Sequence, residues 1–196
     1  MTHRMLLALA FAVPLRCAAE PPEGGGTASG PGGGGSGGAA TPATLGVTSA
    51  AFPHMGRIPP EHTCDGGDTL VPLEIANVPR DAKSLAIIVD DPDVPKSLRP
   101  DGNWDHWLIW NLPPSTSSIS QGSVPSSAVQ GKNSWGRNDW GGPCPPDREH
   151  RYFFKVYALD AMLELDPSSG KGELERAMEG RVLAKGELVG RYERQR

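Results

Sequence analysis

The sequence has little of what the common catalytic and nucleic-acid-binding classes require. It contains three cysteines, and its formal net charge is -4. It has no HExxH or paired CxxC motif, no G-x-S-x-G elbow between a strand and a helix, and no glycine-rich phosphate loop. These absences argue against a serine hydrolase, a typical zinc enzyme and a nucleotide-binding fold, and the charge argues against binding to nucleic acid. We therefore expect no enzymatic activity, no catalytic residue and no cofactor.

The N-terminus is predicted to be an export signal. Residues 1–19 combine Arg4 with the short apolar run MLLALAFAV, which is too short to span a bilayer. Cys17 follows this run, so the alternative to a cleaved signal peptide is a lipoprotein signal in which Cys17 carries a membrane tether. Arg16 stands where a small residue usually precedes an acylated cysteine and disfavours that alternative. The protein is expected to be exported to the periplasm or cell envelope.

The rest of the chain is predicted to form a linker and one domain. Residues 20–44 are rich in glycine and lack large apolar side chains, so we expect a flexible linker. Residues 45–196 are long enough for one domain with its own core. This domain contains Cys64 and Cys144, which form either a disulfide in an oxidising compartment or two unrelated buried thiols.

Short strands are predicted for most of the domain because prolines and glycines interrupt it about every ten residues. The best strand candidates are SLAIIVD (84–90), HWLIWN (106–111) and HRYFFKVYAL (150–159), and GVTSAAF and PLEIANV are weaker ones. A helix is predicted only near the C-terminus, in GELERAMEG, and RVLAKGELVG is expected to add a second helical turn before a final strand. We predict a mainly β domain of two packed sheets with short C-terminal helices.

Polar residues follow the first of these strands and begin the second. Asp90, Asp91 and Asp93 end the run VDDPD, in which Pro92 restricts the backbone. Asp90 is expected only to cap the strand or to bond loop amides. If the first two strands are antiparallel neighbours, His106 lies beside Asp91 and Asp93.

A second polar group precedes and begins the third strand. His150 and Tyr152 are two residues apart, so their side chains should point to the same face of the sheet. Pro145 and Pro146 should make the preceding loop rigid. We expect both groups to line one pocket, where imidazoles, a phenol and backbone amides donate to an anion such as phosphate. A zinc site formed by His106, His150 and Asp91 is the weaker alternative.

The runs DDPDVP, WDHWLIWNLP and GGPCPPDREHRYFFKVYALD resemble the phosphatidylethanolamine-binding protein (PEBP) family, in its bacterial Raf kinase inhibitor-like branch. The resemblance covers nearly the whole domain. It implies two packed antiparallel β-sheets with short helices, no established catalytic activity, and a pocket for phosphate or a phosphorylated head group. Carried over by motif, the ligand-binding residues are Asp91, Asp93, His106, Pro145, Pro146, His150 and Tyr152. The resemblance also implies a Cys64–Cys144 disulfide, because both cysteines belong to this branch.

Two other functions are alternatives to anion binding. Members of the family are described as inhibitors of kinases or proteases, and the loops at 96–104 and 115–138 are long enough to provide a surface for a protein partner. Export favours an envelope protease over a cytosolic kinase as the target. A metal-dependent hydrolase is the least favoured function, because no metal or nucleophile signature supports it.

Overall fold

The structure, a computed structural model, describes residues 42–195. The predicted export signal, Cys17 and most of the predicted linker lie outside these residues. Within them, no helix is both long enough and apolar enough to cross a membrane.

Ten strands and one α-helix make up the regular structure of the described chain. The strands are β1 (Ala43–Thr44), β2 (Gly46–Thr48), β3 (Gly56–Arg57), β4 (Leu73–Ala76), β5 (Ser84–Asp91), β6 (Trp104–Leu112), β7 (Ser118–Ile119), β8 (Val129–Gln130), β9 (His150–Leu159) and β10 (Val182–Tyr192). The helix α1 is Lys171–Met178, and a single 3₁₀ turn is Pro60–His62.

The strands form two sheets. The larger one has the order β1-β10-β9-β5-β6-β8, with β3 also paired to β10, and the smaller one has the order β2-β4-β7. All pairs are antiparallel except those of β1 and β3 with β10. These observations confirm the predicted mainly β fold of two packed sheets. The parallel pairing of β1 begins at Ala43, inside the stretch assigned to the linker from the sequence.

Strand β5 is the centre of the larger sheet, and all eight of its residues are buried. Its side chains alternate between two hydrophobic clusters, as the period of a strand requires. Leu85, Ile87 and Val89 belong to the main core, which includes residues of both sheets. Ala86 and Ile88 belong to a second cluster, which contains residues of α1. Because β5 is covered on both faces, its sequence is an unbroken apolar run up to Val89.

The helix α1 was predicted from its apolar spacing and is confirmed. Leu174 and Met178, four residues apart, are its buried side chains. The Glu173 carboxylate accepts a hydrogen bond from the Gly170 amide at 3.1 Å, which satisfies a donor at the helix N-terminus.

The second helical turn predicted in RVLAKGELVG is wrong, because these residues lie in β10. This strand pairs with β9 from Val182 to Tyr192. Gly186 and Gly190 allow close packing in this strand. A Cβ atom at Gly186 would lie 2.5 Å from the Leu45 carbonyl oxygen, and one at Gly190 would lie 2.6 Å from the Ile58 side chain.

Candidate functional site

Asp90 and Asp91 end β5 with their side chains on opposite faces of the larger sheet. Asp90 lies on the face of α1, where it is 1 % exposed and forms ion pairs with Lys155 (Nζ to Oδ1, 2.8 Å) and Lys171. Asp90 was predicted to cap the strand or to bond loop amides. Its carboxylate is instead a buried charge that is paired with two lysines. Asp91 lies on the other face and leads to the predicted site.

A β-bulge places His106 on the same face as Asp91. Val89 is opposite Trp107, whereas Asp90 is opposite Asp105, so His106 is an extra residue in β6. Without the bulge, His106 and Trp107 would point to opposite faces of the sheet. The bulge directs His106 towards the β9 side chain Tyr152, whose ring centroid is 5.2 Å away.

Asp91 and His150 form a buried pair beneath this region. The His150 Nδ1 atom lies 2.7 Å from Asp91 Oδ2, and its Nε2 atom lies 2.8 Å from Asp147 Oδ1. The Asp93 amide donates to Asp91 Oδ1 at 2.8 Å. Since both ring nitrogens of His150 are engaged and its side chain is 0 % exposed, it positions Asp91 and is not available to donate to a ligand.

Asp93, one of the predicted ligand-binding residues, is engaged elsewhere in the structure. Both of its carboxylate oxygens bind the Arg151 guanidinium at 2.8 Å, and one also accepts from the Arg151 amide at 3.0 Å. This bidentate pair lowers the pKa of Asp93, and the hydrogen bonds from Arg151 are the main cause. Asp93 fixes the loop after β5 to the beginning of β9 and does not line the pocket described below.

Tyr152 is buried beside His106, and its hydroxyl group has no hydrogen-bond partner in the described chain. It follows His150 at the alternate position of β9, as the sequence predicted, and the residue is 1 % exposed. Burial and the neighbouring Asp91 raise the pKa of the Tyr152 phenol, so it remains a neutral O–H donor. A buried donor without an acceptor is costly, which makes this hydroxyl a candidate to bind a ligand atom, although Tyr152 lies behind His106 and not in the lining of the pocket described below. The indole N–H of Trp104, which is in that lining, is likewise buried and without a partner in the described chain.

The loop before β9 provides the opposite wall. Cys144 forms a disulfide with Cys64, as the resemblance implied, and the two Cα atoms are 5.4 Å apart. Pro145 and Pro146 follow Cys144, and all three residues line the pocket. Cys144 is exposed, and its amide donates to no backbone carbonyl of residues 42–195.

These elements enclose a pocket of about 280 Å³. Its lining residues are Asp91, Val94, Leu98, Trp104, His106, Trp135, Cys144, Pro145 and Pro146. A wider cavity of about 600 Å³ on the α1 side of the sheet contains none of the predicted ligand-binding residues. We refer to the smaller cavity as the His106 pocket.

The His106 pocket has no positively charged side chain in its lining. The His106 Nδ1 atom donates to the Gly141 carbonyl at 2.6 Å, and burial lowers the pKa of this imidazole from its usual value to about 4. His106 is therefore neutral at pH 7, and its Nε2 atom can accept a hydrogen bond. Burial raises the pKa of Asp91, although the hydrogen bond from His150 opposes this change. The expectation that the His106 imidazole donates to an anion is thus replaced by a ring that can accept a hydrogen bond from the ligand.

The apolar walls of the pocket were missed by the sequence analysis. Trp104 and Trp135 pack edge to face with ring centroids 5.2 Å apart, and Trp135 also packs on His106 at 5.2 Å. Leu98 is 63 % exposed and Trp135 is 42 % exposed at the mouth. Trp104 begins the run WDHWLIWNLP and strand β6, whereas Trp135 lies in a loop, and no strand pattern assigns either tryptophan to a pocket.

No group of three or more histidine, cysteine, aspartate or glutamate side chains in residues 42–195 is arranged to hold a metal ion. The suggested zinc ligands have other partners. His106 donates to the Gly141 carbonyl, and His150 bonds to the carboxylates of Asp91 and Asp147.

Comparison with known proteins identifies a family. The family model described as phosphatidylethanolamine-binding protein matches residues 48–193. A relative from Methanothermobacter thermautotrophicus, named UPF0098 protein, is 43 % identical over 155 residues, which cover 76 % of this chain and 99 % of the relative.

Two crystal structures are also similar to this chain. A PEBP homologue from Chlamydia trachomatis has a TM-score of 0.75 at 44 % identity and covers 78 % of this chain and 99 % of its own. The Escherichia coli protein YbcL has a TM-score of 0.71 at 30 % identity and covers 78 % and 100 %.

Proposed function

Because the chain belongs to the phosphatidylethanolamine-binding protein family, we propose that it is an exported binding protein whose His106 pocket takes a phosphate-type anion or a phosphorylated head group. The observation that carries this proposal is the Tyr152 hydroxyl, which is buried, has no partner in the described chain and lies beside His106. A ligand oxygen that reaches it would satisfy it.

The charge of the pocket restricts the protonation state of a phosphate ligand. Asp91 lines the pocket, and no lysine or arginine does, so a fully ionised phosphate would be repelled. A singly protonated phosphate can donate its own O–H to His106 Nε2 or to Asp91 while it accepts from Tyr152. Binding should therefore strengthen as the pH falls from 8 to 6, because the second pKa of a phosphate monoester lies near 6.

Calorimetric titration of the protein with inorganic phosphate and with phosphoethanolamine tests the proposal. We expect saturable binding that is tighter at pH 6 than at pH 8 and weaker in Tyr152→Phe. The absence of saturable binding at millimolar ligand at either pH would reject a phosphate pocket.

A second function, inhibition of an envelope protease by surface contact, is favoured by one observation. Leu98 and Trp135 are exposed large apolar side chains, and they lie in the two loops to which a protein-binding surface was assigned. Assays with purified proteases distinguish the functions: inhibition that is lost in Leu98→Ser and Trp135→Ser but kept in Tyr152→Phe would support the inhibitor.

The proposal that the protein is exported is based on the predicted signal in residues 1–19. The intact mass of the protein purified from its native envelope gives the cleavage site and shows whether Cys17 carries lipid. An uncleaved N-terminus would reject an export signal.

A further inference from the structure

Asp91, His150 and Asp147 form a hydrogen-bonded chain from the His106 pocket to the protein surface. Asp91 lines the pocket, and its side chain is 4 % exposed. Its Oδ2 atom lies 2.7 Å from His150 Nδ1, and His150 Nε2 lies 2.8 Å from Asp147 Oδ1. The side chain of His150 is 0 % exposed, whereas that of Asp147 is 44 % exposed. We refer to these three side chains as the His150 triad, which joins a buried carboxyl group to one that contacts water.

The two short contacts of His150 determine how many protons the triad holds. Neither a carboxylate oxygen nor a ring nitrogen without a proton can donate, so each N···O contact needs one proton between its two atoms. An imidazolium between two carboxylates satisfies both contacts, and its three charges sum to a single negative charge. This negative charge borders the pocket, because Asp91 is part of the lining.

The two carboxyl groups of the triad differ in their affinity for a further proton. Burial raises the pKa of Asp91, although the hydrogen bond from His150 opposes this change. The hydrogen bond from His150 is the main cause that lowers the pKa of Asp147, and Arg148 adds to it. A proton that enters the triad is therefore held at the inner end, next to the pocket, while the outer carboxylate keeps its charge.

The other charged or titratable groups around the triad are paired or neutral. The pairs are Arg148 with Asp147, Glu149 with Arg191 and Arg151 with Asp93. The groups without charge at pH 7 are His106, Tyr152 and Tyr192, because burial lowers the pKa of the imidazole and raises those of the two phenols. The triad is thus the group beside the pocket whose charge is most free to change near neutral pH.

An anion in the pocket should change the protonation of the triad, since a negative charge beside a carboxylate raises the affinity of that carboxylate for a proton. We propose that the His150 triad takes up a proton from water when an anion enters the His106 pocket, and that the surface residue Asp147 makes this uptake possible at neutral pH. The buffer loses the proton and the triad gains it, so Asp91 can donate to the ligand. By linkage, protonation of the triad strengthens anion binding by the same factor.

This inference has two parts. The proton uptake rests on the proposed function, because it needs an anion in the pocket. The coupling of Asp147 to Asp91 through His150 does not, because it follows from the hydrogen bonds of the protein alone. Asp147 is a positioning residue in this account, since it acts on the ligand only through the other two side chains.

Asp147→Asn tests the coupling, because asparagine can still form a hydrogen bond with His150 Nε2 but carries no charge. Loss of the negative charge should lower the affinity of the triad for a proton. Glu149→Gln is the matched control. It removes the same charge two residues along the loop, from a carboxylate that pairs with Arg191. The probe is dimethyl phosphate, whose single charge is constant between pH 5 and pH 8, so any proton taken up belongs to the protein.

Calorimetric titration in buffers of different ionisation enthalpy measures the proton uptake per bound ligand. We expect uptake in the wild type and in Glu149→Gln, and a pH of maximal uptake that is about one unit lower in Asp147→Asn. At pH 7 the Kd of Asp147→Asn should be about two- to fivefold higher than that of Glu149→Gln. Binding without proton uptake in the wild type, or the same pH of maximal uptake in both variants, would overturn the inference.

A second measurement needs no ligand. Ring ¹⁵N spectra of His150 in the free protein follow its protonation as the pH is raised, and the midpoint should be lower in Asp147→Asn than in Glu149→Gln. If the wild type does not bind dimethyl phosphate, the proposed function fails and the proton uptake fails with it. The coupling is then decided by these spectra, and equal midpoints in the two variants would overturn it.

Discussion

At the residue scale, the site consists of side chains whose polar groups are either fully engaged or without a partner. His150 and Asp93 are engaged with carboxylates and with Arg151, respectively. The Tyr152 hydroxyl and the Trp104 indole N–H are buried donors without acceptors in the described chain. A structural role satisfies the hydrogen bonds of a buried group, whereas a binding role leaves them for the ligand. The two groups can therefore be separated by substitution.

Tyr152→Phe is predicted to weaken binding without a loss of stability. It removes a buried hydroxyl that has no partner in the described chain, so the free energy of unfolding should stay the same or rise by up to about 1 kcal/mol. The affinity for phosphate should fall by about five- to tenfold, because one donor to a charged ligand is lost. Chemical denaturation and calorimetric titration measure the two effects.

Tyr192→Phe is the matched control, because Tyr192 is also 1 % exposed but donates to Asp65 Oδ2 at 2.8 Å. This variant should lose about 1 kcal/mol of stability and keep the affinity. If Tyr152→Phe is destabilised and Tyr192→Phe is not, the Tyr152 hydroxyl has a partner and the assignment is wrong.

The low pKa of His106 predicts a loss of stability on acidification. The imidazole titrates near 6.5 in the unfolded chain and at about 4 in the folded protein. Between these values the unfolded state binds a proton that the folded state does not, so stability falls as the pH is lowered from 6.5 to 4, by up to about 3 kcal/mol. The raised pKa of Asp91 acts in the opposite direction, since the folded state takes up that proton more readily.

Comparison of the wild type with His106→Asn isolates this effect. The difference in the free energy of unfolding between pH 7 and pH 4.5, from guanidinium denaturation, should be smaller in the variant than in the wild type. Equal differences in the two proteins would show that His106 titrates normally.

At the element scale, the β-bulge in β6 and the loop that carries Trp135 shape the pocket. Three strands could be predicted from their apolar and aromatic runs, and β9 has the predicted bounds, His150–Leu159. The bulge could not be predicted, because a strand pattern has a period of two and a bulge breaks that period at one residue.

Gly141→Ala is predicted to displace Trp135 from the pocket. A Cβ atom at this position would lie 2.4 Å from the Trp135 ring, so the ring must move, and its exposed position allows it to do so. We expect a change in the environment of Trp135 and a several-fold loss of phosphate affinity, with a small loss of stability. Amide spectra and calorimetric titration measure both.

Gly172→Ala in α1 is the matched control. No atom lies within 4 Å of a Cβ atom there, and alanine is a better helix former than glycine. Stability should rise by roughly 0.5–1 kcal/mol with no change in affinity. If Gly141→Ala binds phosphate with the wild-type affinity, Trp135 is not part of the binding surface.

At the scale of the whole molecule, the two sheets and the disulfide combine distant parts of the chain. The family motifs made the mainly β fold and the cysteine pairing predictable. The apolar lining of the pocket and the partners of Asp90, Asp93 and His150 were not predictable, because they depend on which loops meet in three dimensions. The comparisons establish the family, and the ligand must be inferred from the chemistry of the pocket.

The disulfide is predicted to contribute to stability as well as to the pocket wall. It closes a segment of 80 residues, and the chain-entropy model gives about 4.5 kcal/mol for such a loop. In Cys64→Ser/Cys144→Ser the free energy of unfolding should therefore fall by about 2–4 kcal/mol, while circular dichroism remains that of a β protein. Loss of the β spectrum in the variant at 25 °C would show that the fold depends on the bond.

The central claim is that the His106 pocket binds a phosphate-type ligand through neutral donors. The most direct measurement is an NMR titration of the oxidised, isotopically labelled protein with phosphoethanolamine, which follows the Cys144 amide, the His106 ring and the Tyr152 ring. We expect saturable shifts at these three residues, with His106 remaining neutral at pH 7. Resonances that do not move at millimolar ligand, or saturable shifts confined to another surface, would contradict it.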